Sequence, residues 1–569
     1  MLRLGYLGLF LLILGGVVAQ HDHHMDVPPQ PEGEEPMSYA RWEEHRGYLA
    51  LHVIFMILAF VIVMPMGIMF GIARSNLHWP TQVLAALLAQ IGFTFAELYG
   101  HSMPAFYEGN SHHTNGWIIW WILNLQLGIG VTRKLTKYIK SKMNGGRYEQ
   151  LETVTLFDRH SDEHTSDLDD EDSQGTLHEN EDYHTVRLMA SPSTTTLNDP
   201  LESKPTYART KPSFITRLVE KVAAKMMPYI PEPVQFVICK SLVNPFTEVV
   251  LRRIHQVIGR VFILLIFAQI TTGVVVWEGI CRSWDVLGCA AHLIKGGIFF
   301  WIGLITFARY LGAFKEYGWS WNLPDDKHKT MFSFEMIETS LIFIYGITNT
   351  WMEHFGENDA WSHKDFEHAS LAFMWWWMGL AGILVESKAI RRCLDGITST
   401  NPAGQSTDRR LSLNPFPGLT ILLTGVSMGN HHQMTETGTR VHYLWGLLFT
   451  LGAICRFLTY FLMYLKSPTT NLPTRPPTEA IGAFCLVAGG IMFMASQSGT
   501  IDWMIRNDID LMFFMNAATA VAFIILSGTA GLLAIKAWSA RRQERINAAN
   551  ADPMTVRVGD LRQDSGIAA

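Results

Sequence analysis

The sequence predicts an all-α, polytopic helical membrane protein with about 11 transmembrane helices after a signal peptide. Of the 569 residues, 48% are hydrophobic and only 17% are charged, whereas soluble globular domains carry about 25% charged residues. Beyond the N-terminus, eleven segments are long and apolar enough to cross a bilayer. They lie near residues 47–73, 79–100, 113–132, 253–277, 289–310, 331–350, 369–387, 416–430, 442–465, 478–498 and 511–537.

The first 20 residues, MLRLGYLGLFLLILGGVVAQ, combine one arginine, an apolar stretch and small residues. This pattern is typical of a secretory signal peptide cleaved near Ala19 or Gln20; an uncleaved signal anchor is the alternative. The lumenal tail that follows, residues 21–45, begins HDHHMD. Its imidazole and thioether groups suit copper, although short histidine tracts also arise by accident in such tails.

Loop charges predict the orientation of the helices. Lysines and arginines follow the third, seventh and last segments, whereas the opposite loops are acidic. Since cytosolic loops are enriched in Lys and Arg, we expect a lumenal N-terminus and a cytosolic C-terminus. The protein is therefore expected in the secretory pathway, as an integral protein of the plasma membrane, the vacuole or the endoplasmic reticulum. The same topology puts Cys281 and Cys289 in one lumenal loop, where a disulfide can form.

Two of the apolar segments repeat one polar pattern. HHTNGWIIWWILNLQLGIG (112–130) and HQVIGRVFILLIFAQITTG (255–273) each carry His, then Gly four, Gln fourteen and Gly eighteen residues later. At about 100° per residue, these offsets return to one helix face. A histidine with small residues along the same face predicts that a flat group packs there.

The expected orientation sorts four histidines into two pairs. His52 and His112 fall near the lumenal ends of their segments, and His78 and His255 fall near the cytosolic ends. Because a haem iron takes an imidazole on each axial face, the pairs predict two bound haem b groups, one per leaflet. His113 is the alternative ligand to His112. The competing interpretation is a set of interfacial histidines beside small residues that pack helices together.

These segments resemble the core of the cytochrome b561 family, transmembrane electron carriers with two b haems. The resemblance covers residues 45–312 without the insert described below, with three helices of the core in 46–133 and two in 251–315. The matching features are His52 followed by Pro65 and Gly67, an Ala73-Arg74 exit, His78 with Gln82, and the two His/Gly/Gln/Gly helices.

The resemblance implies a direction of electron flow. Electrons would enter at the cytosolic pair from a small-molecule donor such as ascorbate, and leave at the lumenal pair to a ferric or cupric ion. Arg74 and Arg260, at the cytosolic ends, would attract an anionic donor; alternatively they are ordinary positive-inside residues. Such a protein is a b-type cytochrome oxidoreductase that acts as a metalloreductase. The whole chain, with its insert and polytopic C-terminal half, resembles the fungal Ytp family of membrane proteins.

Two regions lie outside this core. Residues 134–250 predict a cytosolic, acidic and largely disordered insert, with an amphipathic helix at 213–230. Residues 325–540 predict a C-terminal multi-helix membrane domain, followed by a cytosolic tail at 541–569.

The C-terminal domain carries its own polar residues. Its lumenal side is expected to hold His354, His368, His432 and His442. The favoured interpretation is a set of hydrogen-bonded interface residues; the alternative is that these four histidines converge on a metal ion. In the sixth segment, Glu335 and Glu338 predict proton or cation handling, unless the segment begins later and leaves them at the surface.

Two classes of function follow. The preferred one is a transmembrane di-haem electron carrier, whose partners are membrane lipid, a small-molecule donor and iron or copper. The alternative is a non-redox transporter or scaffold with metal-binding or interfacial histidines. No glycine loop with the lysine needed to bind phosphates is present, and nothing in the sequence indicates nucleic-acid binding.

Overall fold

The computed structural model describes residues 38–107, 109–143, 245–282, 286–325, 328, 332–352, 361, 363–398 and 411–551. Within these ranges the regular structure is helical, as the sequence predicts. The signal peptide, the HDHHMD tract, the acidic tract and the amphipathic helix at 213–230 lie outside the described residues.

The helices of the described ranges are numbered in chain order. They are α1 (Arg46–Ile72), α2 (His78–Ser102), α3 (Ser111–Met143), α4 (Pro245–Glu278), α5 (Val286–Tyr310), α6 (Phe334–Met352), α7 (His363–Glu386), α8 (Lys388–Thr398), α9 (Phe416–Gly429), α10 (Glu436–Leu465), α11 (Pro477–Met494), α12 (Ser498–Arg506) and α13 (Leu511–Ala551).

Each of the eleven predicted segments contains a helix. In the described part of the chain, eight helices are long and apolar enough to span a membrane: α1, α2, α4, α5, α7, α10, α11 and α13. Of the other three, α9 is apolar but has only 14 residues. The last helix, α13, continues to Ala551, beyond the boundary expected for the cytosolic tail. The short helices α8 and α12 lie where the sequence analysis placed none.

A π-helical stretch interrupts α1 at Ile57–Val63. Pro65 follows it, and a proline ring clashes with the carbonyl four residues earlier, here Val61, inside that stretch. Widening the turn is one way a helix accommodates such a clash. The helix therefore continues past the proline, from the turn that holds His52 to Ile72.

The chain forms two compact units, which are considered separately. The first contains residues up to Ile122 and from Arg260 to Gln543. In it α1 packs on α2, α5 on α11, α6 on α7, and α10 on both α9 and α11. Gly296 on α5 allows one close approach, since a Cβ there would lie 2.7 Å from the carbonyl oxygen of Gly490 on α11. Small residues of this kind let membrane helices pack backbone to backbone.

The core of the first unit is aromatic. Phe299, Trp445, Phe449 and Phe493 are buried together, and the rings of Trp445 and Phe493 stack with centroids 4.3 Å apart. Large aromatic side chains give most of the contact area in such a core. The second unit contains Leu123–Gly259 and the residues from Glu544 onward, and in it Gln126, near the middle of α3, contacts the His255 turn of α4.

Candidate functional sites

His52 on α1 and His112 on α3 lie side by side in the first unit. Their ring centroids are 6.4 Å apart and the ring planes are inclined at 81°. The Nδ1 atom of His52 lies 2.9 Å from the carbonyl oxygen of Gly92, and that of His112 lies 3.1 Å from the carbonyl oxygen of Gln269. Because a carbonyl only accepts hydrogen bonds, each Nδ1 carries the hydrogen and each Nε2 keeps its lone pair for a metal.

The separation of the two rings fits a shared metal ion. A metal bonded to one nitrogen of each imidazole at about 2.0–2.1 Å puts the ring centroids roughly 6.3 Å apart, close to the 6.4 Å of this pair. Two imidazoles on opposite faces of a haem can have inclined planes, since each plane only has to contain its own bond to the iron. The geometry and the tautomers of His52 and His112 are therefore suitable for axial haem ligands.

The His/Gly/Gln/Gly repeat is explained by packing between antiparallel helices. In the first unit, Gln269 of α4 donates from Nε2 to the carbonyl oxygen of His112 at 2.9 Å. Gly273, one turn further, leaves room for the histidine ring, because a Cβ there would lie 2.9 Å from Cε1 of His112. In the second unit the relation is reversed, and Gln126 of α3 donates to the carbonyl oxygen of His255 at 2.9 Å. Each glutamine therefore holds the histidine turn of the other helix.

His78 and His255 fall in different units, and their pairing stays a prediction from the sequence. The Nδ1 atom of His78 lies 2.7 Å from the carbonyl oxygen of Gly67, so the hydrogen of this imidazole is on Nδ1. Gly71 leaves room for its ring, since a Cβ there would lie 2.8 Å from Nδ1.

Three other predicted residues are exposed. His113 is exposed, whereas His112 is partly buried beside His52, and the backbone N–H of His113 donates to Oδ1 of Asn110 at 2.9 Å. This placement favours His112 over its neighbour as the ligand. Arg74 and Arg260 are also exposed, and their side chains are accessible to a soluble anion.

Cys281 and Cys289 form a disulfide, with their Cα atoms 5.7 Å apart. The hydroxyl of Tyr107 donates to the carbonyl oxygens of Ile280 and Cys281 at 2.8 and 2.5 Å. The guanidinium of Arg282 lies over the Tyr107 ring, 4.9 Å from its centroid. The segment between α2 and α3 is thereby fastened to the disulfide loop.

A cavity of about 80 Å³ lies between α5 and helices of the C-terminal domain. His292, His368 and His442 line part of it together with Asn349 and Gln433. The aromatic core forms another part of its wall. A space of this size with polar groups on its wall has room for several waters or a small ligand. We refer to it as the histidine cavity.

The predicted four-histidine metal site is only partly assembled. His368 and His442 line the histidine cavity, but His432 is exposed and His354 lies outside the described residues. In the described ranges, no three His, Cys, Asp or Glu side chains are close enough to hold a metal ion. The neighbour of His432, His431, is turned inward instead; its Nδ1 lies 3.0 Å from Glu367.

His292, a poor match for an additional ligand by sequence alone, lies against His442 in the cavity wall at a centroid distance of 6.1 Å. It occurs singly on α5, so no spacing pattern marked it. The residue beside it, His442, is on α10. The spacing of residues within α5 does not predict a contact with another helix.

Elsewhere, α5 and three helices of the C-terminal domain bring together five buried charged side chains, which we call the charge cluster. Its members, none more than 8% exposed, are Arg309, Glu335, Glu338, Arg456 and Glu479. Nη2 of Arg309 lies 3.6 Å from Glu335, and Arg456 lies 3.4 Å from Glu338 and 2.8 Å from Glu479. Glu335 and Glu338 are thus buried, although they occupy the first turns of α6.

Aromatic rings cover the Arg309 end of the charge cluster. The Arg309 guanidinium lies 4.4 Å from the ring centroid of Trp321 and 3.8 Å from that of Phe334. Its Nε donates to the carbonyl oxygen of Trp319 at 2.6 Å. Cation–π contacts of this kind are strongest where water is excluded, and Trp321 is only 1% exposed.

Two family models match the chain. One, described as protein YTP1-like, C-terminal, matches residues 265–537, and the other, a domain of unknown function (DUF2427), matches residues 33–136. The second match contains His52, His78 and His112. The first contains Gln269, Gly273, the histidine cavity and the charge cluster.

Three relatives from yeasts are similar to the chain. A protein of Schizosaccharomyces pombe, described as an uncharacterised membrane protein, is 34% identical over 531 residues, which cover 90% of this chain and 98% of the relative. Another uncharacterised membrane protein, from Saccharomyces cerevisiae, is 32% identical over 300 residues, 48% of this chain and 46% of the relative. Protein YTP1 of the same yeast is 23% identical over 272 residues, 48% of this chain and 52% of the relative. No solved structure matches.

Proposed function

The chain belongs to the YTP1-like family of fungal polytopic membrane proteins, and on that premise we propose that its N-terminal half is a di-haem, b-type electron carrier. It moves electrons from a cytosolic small-molecule donor to an acceptor on the other side of the membrane, such as a ferric or cupric ion. The C-terminus then faces the cytosol, as the loop charges predict.

The observation that supports this proposal is the geometry of His52 and His112. Their 6.4 Å separation and their carbonyl-bonded Nδ1 atoms are what an axial ligand pair requires. A haem bound there supplies one-electron redox chemistry. The protein residues contribute ring orientation, because the carbonyl oxygens of Gly92 and Gln269 fix both tautomers and make the opposite ring nitrogens more basic.

The second pair of the proposal, His78 and His255, rests on the sequence pattern and on the environment of each histidine by itself. Nδ1 of His78 is held by a backbone carbonyl, and the His255 turn is held by Gln126. Electron transfer across a bilayer needs a second redox group in the other leaflet, since the hydrocarbon core is about 30 Å thick.

The first test is a reduced-minus-oxidised visible spectrum of the detergent-purified full chain, with a pyridine haemochrome count, from cells supplied with haem. Two b haems per chain are expected, falling to one in His112→Ala and in His255→Ala. The matched control is His113→Ala, which changes the exposed neighbour and should keep both haems. A colourless protein would overturn the proposal and leave the non-redox transporter or scaffold.

A further inference from the structure

The charge cluster contains an unequal number of opposite charges. If every member were ionised, Glu335, Glu338 and Glu479 would carry three negative charges against two positive charges on Arg309 and Arg456. The cluster joins four helices, with Arg309 on α5, the first two glutamates on α6, Arg456 on α10 and Glu479 on α11.

Among the residues that the structure describes, no other charged side chain acts on the cluster to correct the imbalance. The other titratable side chains against it in this part of the chain are Tyr460 and Cys455 on α10, and both residue types are neutral at pH 7. A buried charge without a counter-charge is strongly unfavourable, so such a group binds a proton or an ion instead. The cluster therefore requires one more positive charge.

The geometry at Arg309 indicates which carboxyl is neutral. A guanidinium beside an ionised carboxylate typically donates two parallel hydrogen bonds. Here Nη2 of Arg309 is 3.6 Å from Glu335, beyond hydrogen-bond distance, and its buried Nη1 has no hydrogen-bond partner. Glu479, in contrast, lies 2.8 Å from Nε of Arg456. Of the three carboxyls, Glu335 lies farthest from its guanidinium, at 3.6 Å against 3.4 Å for Glu338 and 2.8 Å for Glu479.

We propose that the charge cluster is a proton-binding site and that Glu335 holds one proton at neutral pH. A neutral Glu335 leaves two carboxylates, on Glu338 and Glu479, to balance the two arginines. The bound proton can be donated to Glu338, which lies three residues further along α6 on the same helix face.

A proton suits this site better than a metal cation. Hard cations take six or more oxygen ligands, whereas two of the three carboxylates here are already paired with Arg456 at 3.4 Å or less. The two guanidiniums would also repel a second cation. A proton adds no volume and turns a carboxylate into a hydrogen-bond donor.

The proton site is far from the histidine cavity along the same helices. On α5, His292 precedes Arg309 by 17 residues, roughly 25 Å at 1.5 Å per residue. On α10, His442 precedes Arg456 by 14 residues, roughly 21 Å. Each of the helices α5 and α10 therefore carries one residue of the histidine cavity and, further along, one residue of the charge cluster.

Infrared difference spectroscopy of the full chain, titrated with pH in H₂O and in D₂O, tests the proposal. A protonated carboxyl gives a C=O stretching band that shifts on deuteration. A carboxylate has no such band. The wild type should show this band at pH 7 and lose it as the pH rises. Glu335→Gln should abolish the band. Because the amide has the size and neutrality of a protonated carboxyl, this variant should fold.

Glu386→Gln is the matched control. Glu386 is a buried carboxylate of the same domain, but it accepts from Ser333 and Ser412 and pairs with Arg391 at 3.2 Å. Its two oxygens are already engaged by two hydroxyls and a guanidinium, so its replacement should leave the band in place. A band that persists in Glu335→Gln would overturn the proposal.

Thermal unfolding against pH is an independent readout. A folded state that holds a proton released on unfolding loses stability as the pH rises. The wild type should therefore melt at lower temperature at higher pH, and Glu335→Gln should show a shallower dependence. Replacing sodium and potassium by choline at constant ionic strength should change neither readout; a loss of stability on that exchange would overturn the proton in favour of a metal cation. None of these measurements depends on haem.

Discussion

Replacing Gly273 by alanine would put a methyl group where the ring of His112 lies. The added Cβ would be 2.9 Å from Cε1 and 3.2 Å from Nδ1 of the histidine, whereas ordinary contacts begin at 3.4 Å. The ring must therefore retreat by about 0.5 Å, more than the roughly 0.2 Å by which metal–ligand bond lengths vary. Changes to groups that orient a metal ligand typically weaken metal binding about 10- to 100-fold.

We therefore expect Gly273→Ala to lose one of the two proposed haems while it folds and inserts normally. The assay is the pyridine haemochrome count, combined with size-exclusion chromatography in detergent. Gly128→Ala is the matched control, because it lies inside α3 and a Cβ there meets nothing within 4 Å. If Gly273→Ala kept two haems and a wild-type spectrum, the argument that the His112 ring needs the space left by Gly273 would be refuted. If Gly128→Ala also lost haem, the loss in Gly273→Ala could not be attributed to contact with the His112 ring.

Three further predictions concern stability, measured by thermal unfolding in detergent. Gln269→Ala removes the donor to the histidine carbonyl and should cost about 1 kcal/mol; an unchanged melting temperature would contradict a structural role for that bond. Arg309→Met leaves the charge cluster one positive charge short and should cost about 3–5 kcal/mol, whereas Arg440→Met, which breaks an exposed pair within α10, should cost less than about 0.5 kcal/mol. Similar losses in the two arginine variants would contradict burial as the cause. Replacing Cys281 and Cys289 by serine opens a loop with a sequence separation of 8 and should cost about 2.5 kcal/mol by loop entropy; reductant should then affect only the wild type.

The sequence alone predicted the polar faces of α3 and α4 but not how the two helices pack. The 100° rotation per residue puts each histidine, glycine and glutamine on one face, and this is a property of a single helix. The bond from Gln269 to the carbonyl of His112 depends on the register between helices. Side chains at many positions of both helices determine that register together. The spacing of residues within one helix does not predict it.

The histidines of the C-terminal domain show a different limit. Spacing selected His432, but the turn between α9 and α10 exposes it and directs His431 toward Glu367. The backbone dihedrals of one turn decide which of two adjacent side chains points inward. His292 was not selected, because an isolated histidine on a long helix gives no pattern.

Of the five residues in the charge cluster, the sequence analysis singled out two. Glu335 and Glu338 were noticed because acidic side chains are rare in apolar segments. Arg309 was not, since an arginine at the end of an apolar segment is also typical of a positive-inside boundary. Its burial under Trp321 depends on how the loop after α5 folds back over the helix end.

The reciprocal glutamine hydrogen bonds between α3 and α4 bear on whether the protein can be expressed as two separate halves. The contacts of Gln269 with the His112 turn, and of Gln126 with the His255 turn, are side-chain to backbone hydrogen bonds that do not involve the segment connecting the two helices. The covalent link, residues 144–244, falls between the regions that the two family models match. A break in that link separates two polypeptides with complementary partner helices. We therefore expect two co-expressed halves, divided within residues 144–244, to reassemble in the bilayer through these contacts.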